Sequence, residues 1–279
     1  MRTFSQAAAL CLAALATGCV AYNDPCQVVD RPDDIVGYVG EIVYLDKPNA
    51  RHANNAIGQL AADGYRHSQD GSSSYPPAVL GVINGGGIRA EGFCGVSHTV
   101  VRKGPLSRDA IHQILLFDNL VVTLDLTVQE VVAIFASGAE GLSQEGQPIV
   151  SGPGNFLHPS AGTHVGIDCS IPPGTAGPGR ITDLSVPGKV LVQGGVVVAP
   201  PPDKVRVAIT DFNINFGGGT SEFLAGLDRD PTRNVLTGGI DSDIAEAYMH
   251  ENYGTSDRAL LVDPGRVTFA NCATPEAPR

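Results

Sequence analysis

An apolar run, Ala78-Val79-Leu80-Gly81-Val82-Ile83, stops abruptly at Asn84-Gly85-Gly86-Gly87-Ile88-Arg89. No other stretch restricts the fold as sharply. Six residues of this kind, bounded by a turn signal, suit a buried strand. Three consecutive glycines then let the backbone take positive φ and come close to a ligand. Successive amides in such a turn can form an anion-binding nest, and Arg89 adds a planar fork of donors. The same string equally describes a Gly-rich turn whose arginine points into water.

The flanking segments read as a mixture of helices and strands. Ile57, Leu60, Ala61 and Tyr65 share one face at helical spacing, which predicts a helix over about 53–68. A polar loop from Gln69 to Tyr75 leads to the buried strand. Ser107 can cap a short helix presenting Ile111, Ile114 and Leu115. Leu120, Val122, Leu124 and Leu126 alternate with their neighbours as in a half-buried strand, and Thr127 to Glu130 form a capping box for the next helix. After Gly152 strands dominate, near 163–168, 181–186, 190–198 and 204–210, with Gly194-Gly195 closing a hairpin. Asp241 can cap a last helix through about Glu251, and Val267 to Ala270 ends the chain as a strand. Strands and helices are mixed without strict βαβ alternation, so the class is α+β, with mixed sheets flanked by helices. One domain over 34–272 and a tail over 273–279 account for the chain.

Only Arg2 is charged in the first eighteen residues, and the apolar run from Ala7 to Ala16 is too short to cross a bilayer. Residues 1–18 therefore read as a signal peptide. The run ends Leu15-Ala16-Thr17-Gly18-Cys19, which resembles a bacterial lipobox with Cys19 as the lipid attachment site. Residues 19–33 become a tether. The expectation is an exported lipoprotein facing the periplasm or cell surface, held to the membrane by lipid alone. Four cysteines remain, Cys26, Cys94, Cys169 and Cys272, and four allow three pairings. Cys26 and Cys272 flank the domain, so Cys26–Cys272 with Cys94–Cys169 is the expected framework. The net charge of −11, from 29 acidic and 18 basic residues, argues against nucleic acid as a partner.

Several segments resemble the C-terminal, substrate-binding domain of the 5'-nucleotidase and UDP-sugar hydrolase family. Asn84-Gly85-Gly86-Gly87-Ile88-Arg89 resembles its signature after a strand, and Arg51 to Leu60 its helix-opening segment. Leu115-Leu116-Phe117-Asp118-Asn119 resembles its Leu-Pro-Phe-Gly-Asn turn, with Leu116 for proline. Gly154-Asn155-Phe156-Leu157-His158 and Asp211-Phe212-Asn213 leading to Gly217-Gly218-Gly219 are similar to two further family segments, and Gly239-Ile240-Asp241 follows in order. The resemblance implies a nucleotide pocket. Phe156 and Phe212 would sandwich the base, a contact worth roughly 1–3 kcal/mol per stacked base. Arg51, Asn84 and Arg89 would meet ribose and phosphate through charge-assisted bonds, with Gly86, Gly87 and Gly218 supplying backbone. His158 stands where the family has an amide side chain. Gly219 stands where the family has an aspartate that grips the ribose hydroxyls, and Phe216 is inserted before the glycines.

Family enzymes hydrolyse phosphate esters with two metal ions held by a separate N-terminal metallophosphoesterase domain. Its histidine motifs are missing among His52, His67, His98, His112, His158, His164 and His250. No catalytic residue, metal ligand or cofactor site is therefore assigned to this chain, and a dimetal centre would have to come from a partner. Three functions follow: capture of a nucleotide-like small molecule, the specificity half of a split nucleotidase with a metallophosphoesterase in trans, or a degenerate structural or interaction lipoprotein.

Overall fold

The computed structural model describes residues 34–68, 75–90, 100–150, 154–199, 203–217 and 219–276. The signal peptide, Cys19, the tether, Cys26, Cys94 and Gly218 lie outside the described residues, as do most of the 69–75 loop and the last three residues of the tail.

The chain opens with β1 (Ile35–Val39), β2 (Val43–Tyr44) and a short helix α1 (Lys47–His52). Asn55 then accepts the Ile57 and Gly58 amides, satisfying two donors a helix start leaves open, and α2 (Ala56–His67) follows. The expected apolar face is present, but α2 is buried almost all round from Ala56 to Tyr65. Its small residues explain this. A Cβ on Gly64 would sit 3.2 Å from the Ile244 carbonyl oxygen of α7 (Asp241–Tyr253). On the other side Gly81 of β3 (Leu80–Asn84) comes so close that its own Cβ would be 2.0 Å from the Ala62 carbonyl oxygen. The helix thus fills the layer between α7 and a sheet.

Next come β4 (Val100–Val101), β5 (Gly104–Ser107), α3 (Arg108–Ile114), β6 (Leu120–Thr127) and α4 (Val128–Glu140). Ser107 Oγ accepts the Ala110 amide, and Thr127 and Glu130 form the reciprocal capping box that their spacing predicts. Then β7 (Leu157–Pro159), β8 (His164–Asp168), β9 (Ile181–Val186), β10 (Lys189–Gln193), β11 (Val196–Val197) and β12 (Lys204–Thr210) lead to α5 (Asp211–Asn215), α6 (Ser221–Leu224) and β13 (Leu236–Ile240). After α7 the chain ends its regular structure in β14 (Val267–Ala270).

Two five-stranded mixed sheets organise these elements, in the orders β13-β6-β12-β3-β7 and β11-β10-β9-β8-β14. In the first, β3 runs parallel to β12 while β6 is antiparallel to it. Its two faces feed different cores. Val122, Leu124, Leu126, Val205 and Val207 pack with α4 and the second sheet, whereas Val121, Ile83 and Ala208 pack with α2 and α7. The half-buried reading of β6 is thereby corrected: Thr123, on the predicted outer face, is fully buried because the layer containing α2 covers that face. In the second sheet Gly194 and Gly195 take φ of 56° and 75°, the paired left-handed conformation of a two-residue hairpin. Asp241 is the first residue of α7 rather than its cap, and its carboxylate accepts from Ser242 N and Asn119 Nδ2.

The expected disulfide framework is overturned, since Cys169 pairs with Cys272. Strands β8 and β14 run in parallel register, Val165 beside Val267 through Asp168 beside Ala270. The residues just past their ends come within 4.9 Å between Cα atoms. Neither Cys26–Cys272 nor Cys94–Cys169 can form alongside that bond. Spacing along the chain does not reveal which strands become neighbours.

Candidate functional site

Strand β3 carries the chain into the Gly85–Gly87 turn, and the hydrogen bonds there correct the anion-nest reading. Gly85 N donates to Phe156 O, Gly86 N to Gly154 O, Ile88 N to Gly85 O and Arg89 N to Ile114 O. Asn84 is buried and its Nδ2 also donates to Gly154 O, at 3.1 Å. The amides of Gly85, Gly86, Ile88 and Arg89 are spent on holding the turn. None of the three glycines has positive φ. They are needed for close approach: a Cβ on Gly85 would lie 2.2 Å from Ala50 O, at the end of α1.

That approach sets Arg51 beside the turn. Arg51 lines a cleft of about 300 Å³ with His52, Ser137, Glu140, Asn155 and Phe156. Burial lowers the pKa of His52, with the Val150 backbone opposing and the Arg51 charge adding to the effect. Gly219 abuts this cleft. A Cβ there would fall 2.0 Å from Ser137 Oγ and 2.4 Å from Asn155 Nδ2, at a φ of +35°. A hydroxyl and an amide thus occupy the space a side chain at position 219 would need. Nothing in the spacing of Ser137 or Asn155 marks them in the sequence.

The Arg89 guanidinium lies 4.8 Å above the Phe117 ring, a cation–π arrangement. Its Nε is buried and unbonded, and it has no carboxylate partner among the described residues. Phe117 is 45% exposed and Phe212 40% exposed. They are brought to one surface because Leu120 N donates to Asp211 Oδ1, tying the turn before β6 to α5. Asp118 adopts φ 51° in that turn, and Asp241 N donates to Asn119 O. Burial pushes the Asp241 carboxyl up to about 6, opposed by its bonds from Asn119 and Ser242 and helped by Asp118 and Asp211.

The predicted base sandwich is not assembled. Phe156 is 3% exposed, with its ring centroid 5.0 Å from His158 and 6.0 Å from Phe269, so its ring is committed to packing although the residue borders the Arg51 cleft. Phe212 packs instead toward Phe216, at 6.5 Å. His158 is also corrected as a ligand contact. It is fully buried beneath Gly58, its Nε2 pairs with Ala50 O at 2.8 Å, and burial lowers its pKa to about 4. Of the residues expected from sequence, Arg51, Asn84 and Arg89 lie at one turn, and Phe212 lies on α5, which Asp211 ties to the segment after Phe117. Phe117 stands in the Leu115–Asn119 motif, but the resemblance gives it no role.

The family model of the 5'-nucleotidase C-terminal domain matches residues 35–225. The chain belongs to this family. Its described fold agrees with that of solved 5'-nucleotidases: the precursor from Thermus thermophilus aligns at TM-score 0.63 with 21% identity, over 94% of this chain and 43% of that one. The Haemophilus influenzae NAD nucleotidase aligns at TM-score 0.57 with 15% identity, over 86% of this chain and 39% of its own. A putative 5'-nucleotidase from Staphylococcus aureus, solved with alpha-ketoglutarate, aligns at 0.56 with 12% identity, over 88% and 42%. The chain therefore spans about two fifths of the length of these three structures. No match was found among curated proteins. A substrate-binding domain of the 5'-nucleotidase family is what these residues build.

Proposed function

We propose that this 5'-nucleotidase-type domain belongs to an exported, lipid-anchored protein and captures a nucleotide, nucleoside or related phosphorylated small molecule. The observation that carries the reading is Arg89: a cation on an exposed aromatic ring, with an unbonded buried Nε and no carboxylate partner among the described residues. A phosphate or other anion would supply the missing acceptor through charge-assisted bonds. Phe117 and Phe212 offer flat apolar area beside it for a base. Arg51 and Asn84 border the same turn.

In this reading the chain binds and positions, and hydrolysis comes from a separate metallophosphoesterase carrying two metal ions. Calorimetric titration of the purified full-length chain with AMP, adenosine and a UDP-sugar tests the proposal. Saturable binding by one of them, lost in Arg89→Ala, is expected. Absence of heat with all three, or unchanged binding in the variant, would overturn it.

A further inference from the structure

Helices α3 and α7 pack together, and one histidine bridges them. His112 Nε2 lies 2.9 Å from Glu246 Oε2 and 3.8 Å from Asp243 Oδ1. Asp243 and Glu246 are three residues apart on α7, so both carboxylates project on one helix face toward the same nitrogen. Donor atoms of the three residues all fall within 4.8 Å of one another. The second oxygen of Glu246 is held by Arg108 at 2.8 Å, which fixes the carboxylate and turns Oε2 toward the imidazole. Asp243 is largely exposed and its carboxylate makes no hydrogen bond among the described residues.

An ordinary ion pair needs one carboxylate on the histidine. Here two converge on it, at separations of 2.9 and 3.8 Å. These bracket the spacing of about 3.3 Å between donors that tetrahedral zinc requires, given metal–ligand bonds near 2.0–2.2 Å. We propose that His112, Asp243 and Glu246 form a binding site for a first-row transition-metal dication, with zinc as the probe. One imidazole and two carboxylates suit zinc better than calcium or magnesium, which take oxygen donors alone. Solvent at the exposed Asp243 side completes the coordination. Arg108 orients Glu246 from behind, as outer hydrogen-bond partners commonly do for metal-ligating carboxylates.

The ion would clamp the two helices that hold the Phe117 turn: Ile114 at the end of α3 accepts from Arg89 N, and Asp241 at the start of α7 grips Asn119. The test is zinc titration of the chelator-treated full-length chain by calorimetry, with cobalt as a spectroscopic substitute. One ion per chain is expected, with the visible absorption of four-coordinate cobalt. The melting temperature should rise by about 5–10 °C at a hundredfold excess over Kd. His112→Ala should abolish the uptake. Asp243→Asn, a change at an exposed position that leaves packing intact, should weaken it at least about tenfold. No saturable uptake, or unchanged uptake in Asp243→Asn, would overturn the assignment. So would uptake by His112→Ala equal to that of the parent.

Discussion

Substituting Phe156 and Phe212 by alanine, one at a time, separates packing from recognition, because the two rings sit in opposite environments. Phe156 is 3% exposed and packs between the His158 and Phe269 rings, within the core that α4 shares with both sheets. Removing a phenylalanine ring from such a site costs about 3–5 kcal/mol through lost burial and the cavity left behind. With a slope near 2 kcal/mol per molar urea, the unfolding midpoint of Phe156→Ala should fall by about 1.5–2.5 M. Phe212 is 40% exposed and touches mainly Phe216. Its removal should change stability by no more than about 0.5 kcal/mol. The same change should weaken binding of an aromatic-base ligand by roughly 5- to 150-fold, the equivalent of 1–3 kcal/mol per stacked base. Urea unfolding followed by circular dichroism, paired with the calorimetric titration, reads both effects. If Phe156→Ala keeps its midpoint and loses only ligand, the ring is a recognition element and its assignment to the core is wrong. If Phe212→Ala unfolds easily and binds as the parent does, the surface site is wrong.

Two further outcomes follow from buried polar groups. Asp63 and Arg266 form a bidentate pair at 2.9 and 2.8 Å, with Asp63 also accepting from Ala161 N and Arg266 donating to Pro159 O. Asp63→Ala should cost about 3–5 kcal/mol because it leaves the buried guanidinium with only the largely exposed Asp263, 3.5 Å from Nε, as counter-charge; a loss under about 1 kcal/mol in urea unfolding would mean that water reaches the pair. His158, lowered by burial from 6.5 to about 4, is neutral in the folded chain over a range where the unfolded chain takes up a proton. Its contribution is therefore complete above pH 6.5 and is lost as pH falls toward 4, by up to about 3 kcal/mol. His158→Gln, whose amide can still donate to Ala50 O, should flatten that part of the stability profile, and an unchanged profile would place the acid sensitivity elsewhere.

Local pattern alone was enough for some of the elements. Helix α2, the capping box of α4 and the Gly194-Gly195 hairpin depend on side chains within a few residues of one another, so their signals lie in contiguous sequence. The motif order around Asn84, Arg89 and Phe212 likewise led to the family, because collinear segments survive without knowledge of their contacts. Long-range placement was not legible. The burial of both faces of β6, the Cys169–Cys272 bond and the separate environments of Phe156 and Phe212 all depend on which strands became neighbours. The glycine turn shows the difference most clearly. Its composition announces closeness to something, but only the packed structure decided that the something is the Ala50 carbonyl and the 154–156 backbone. A glycine's missing Cβ allows many partners equally, and tertiary packing selects among them.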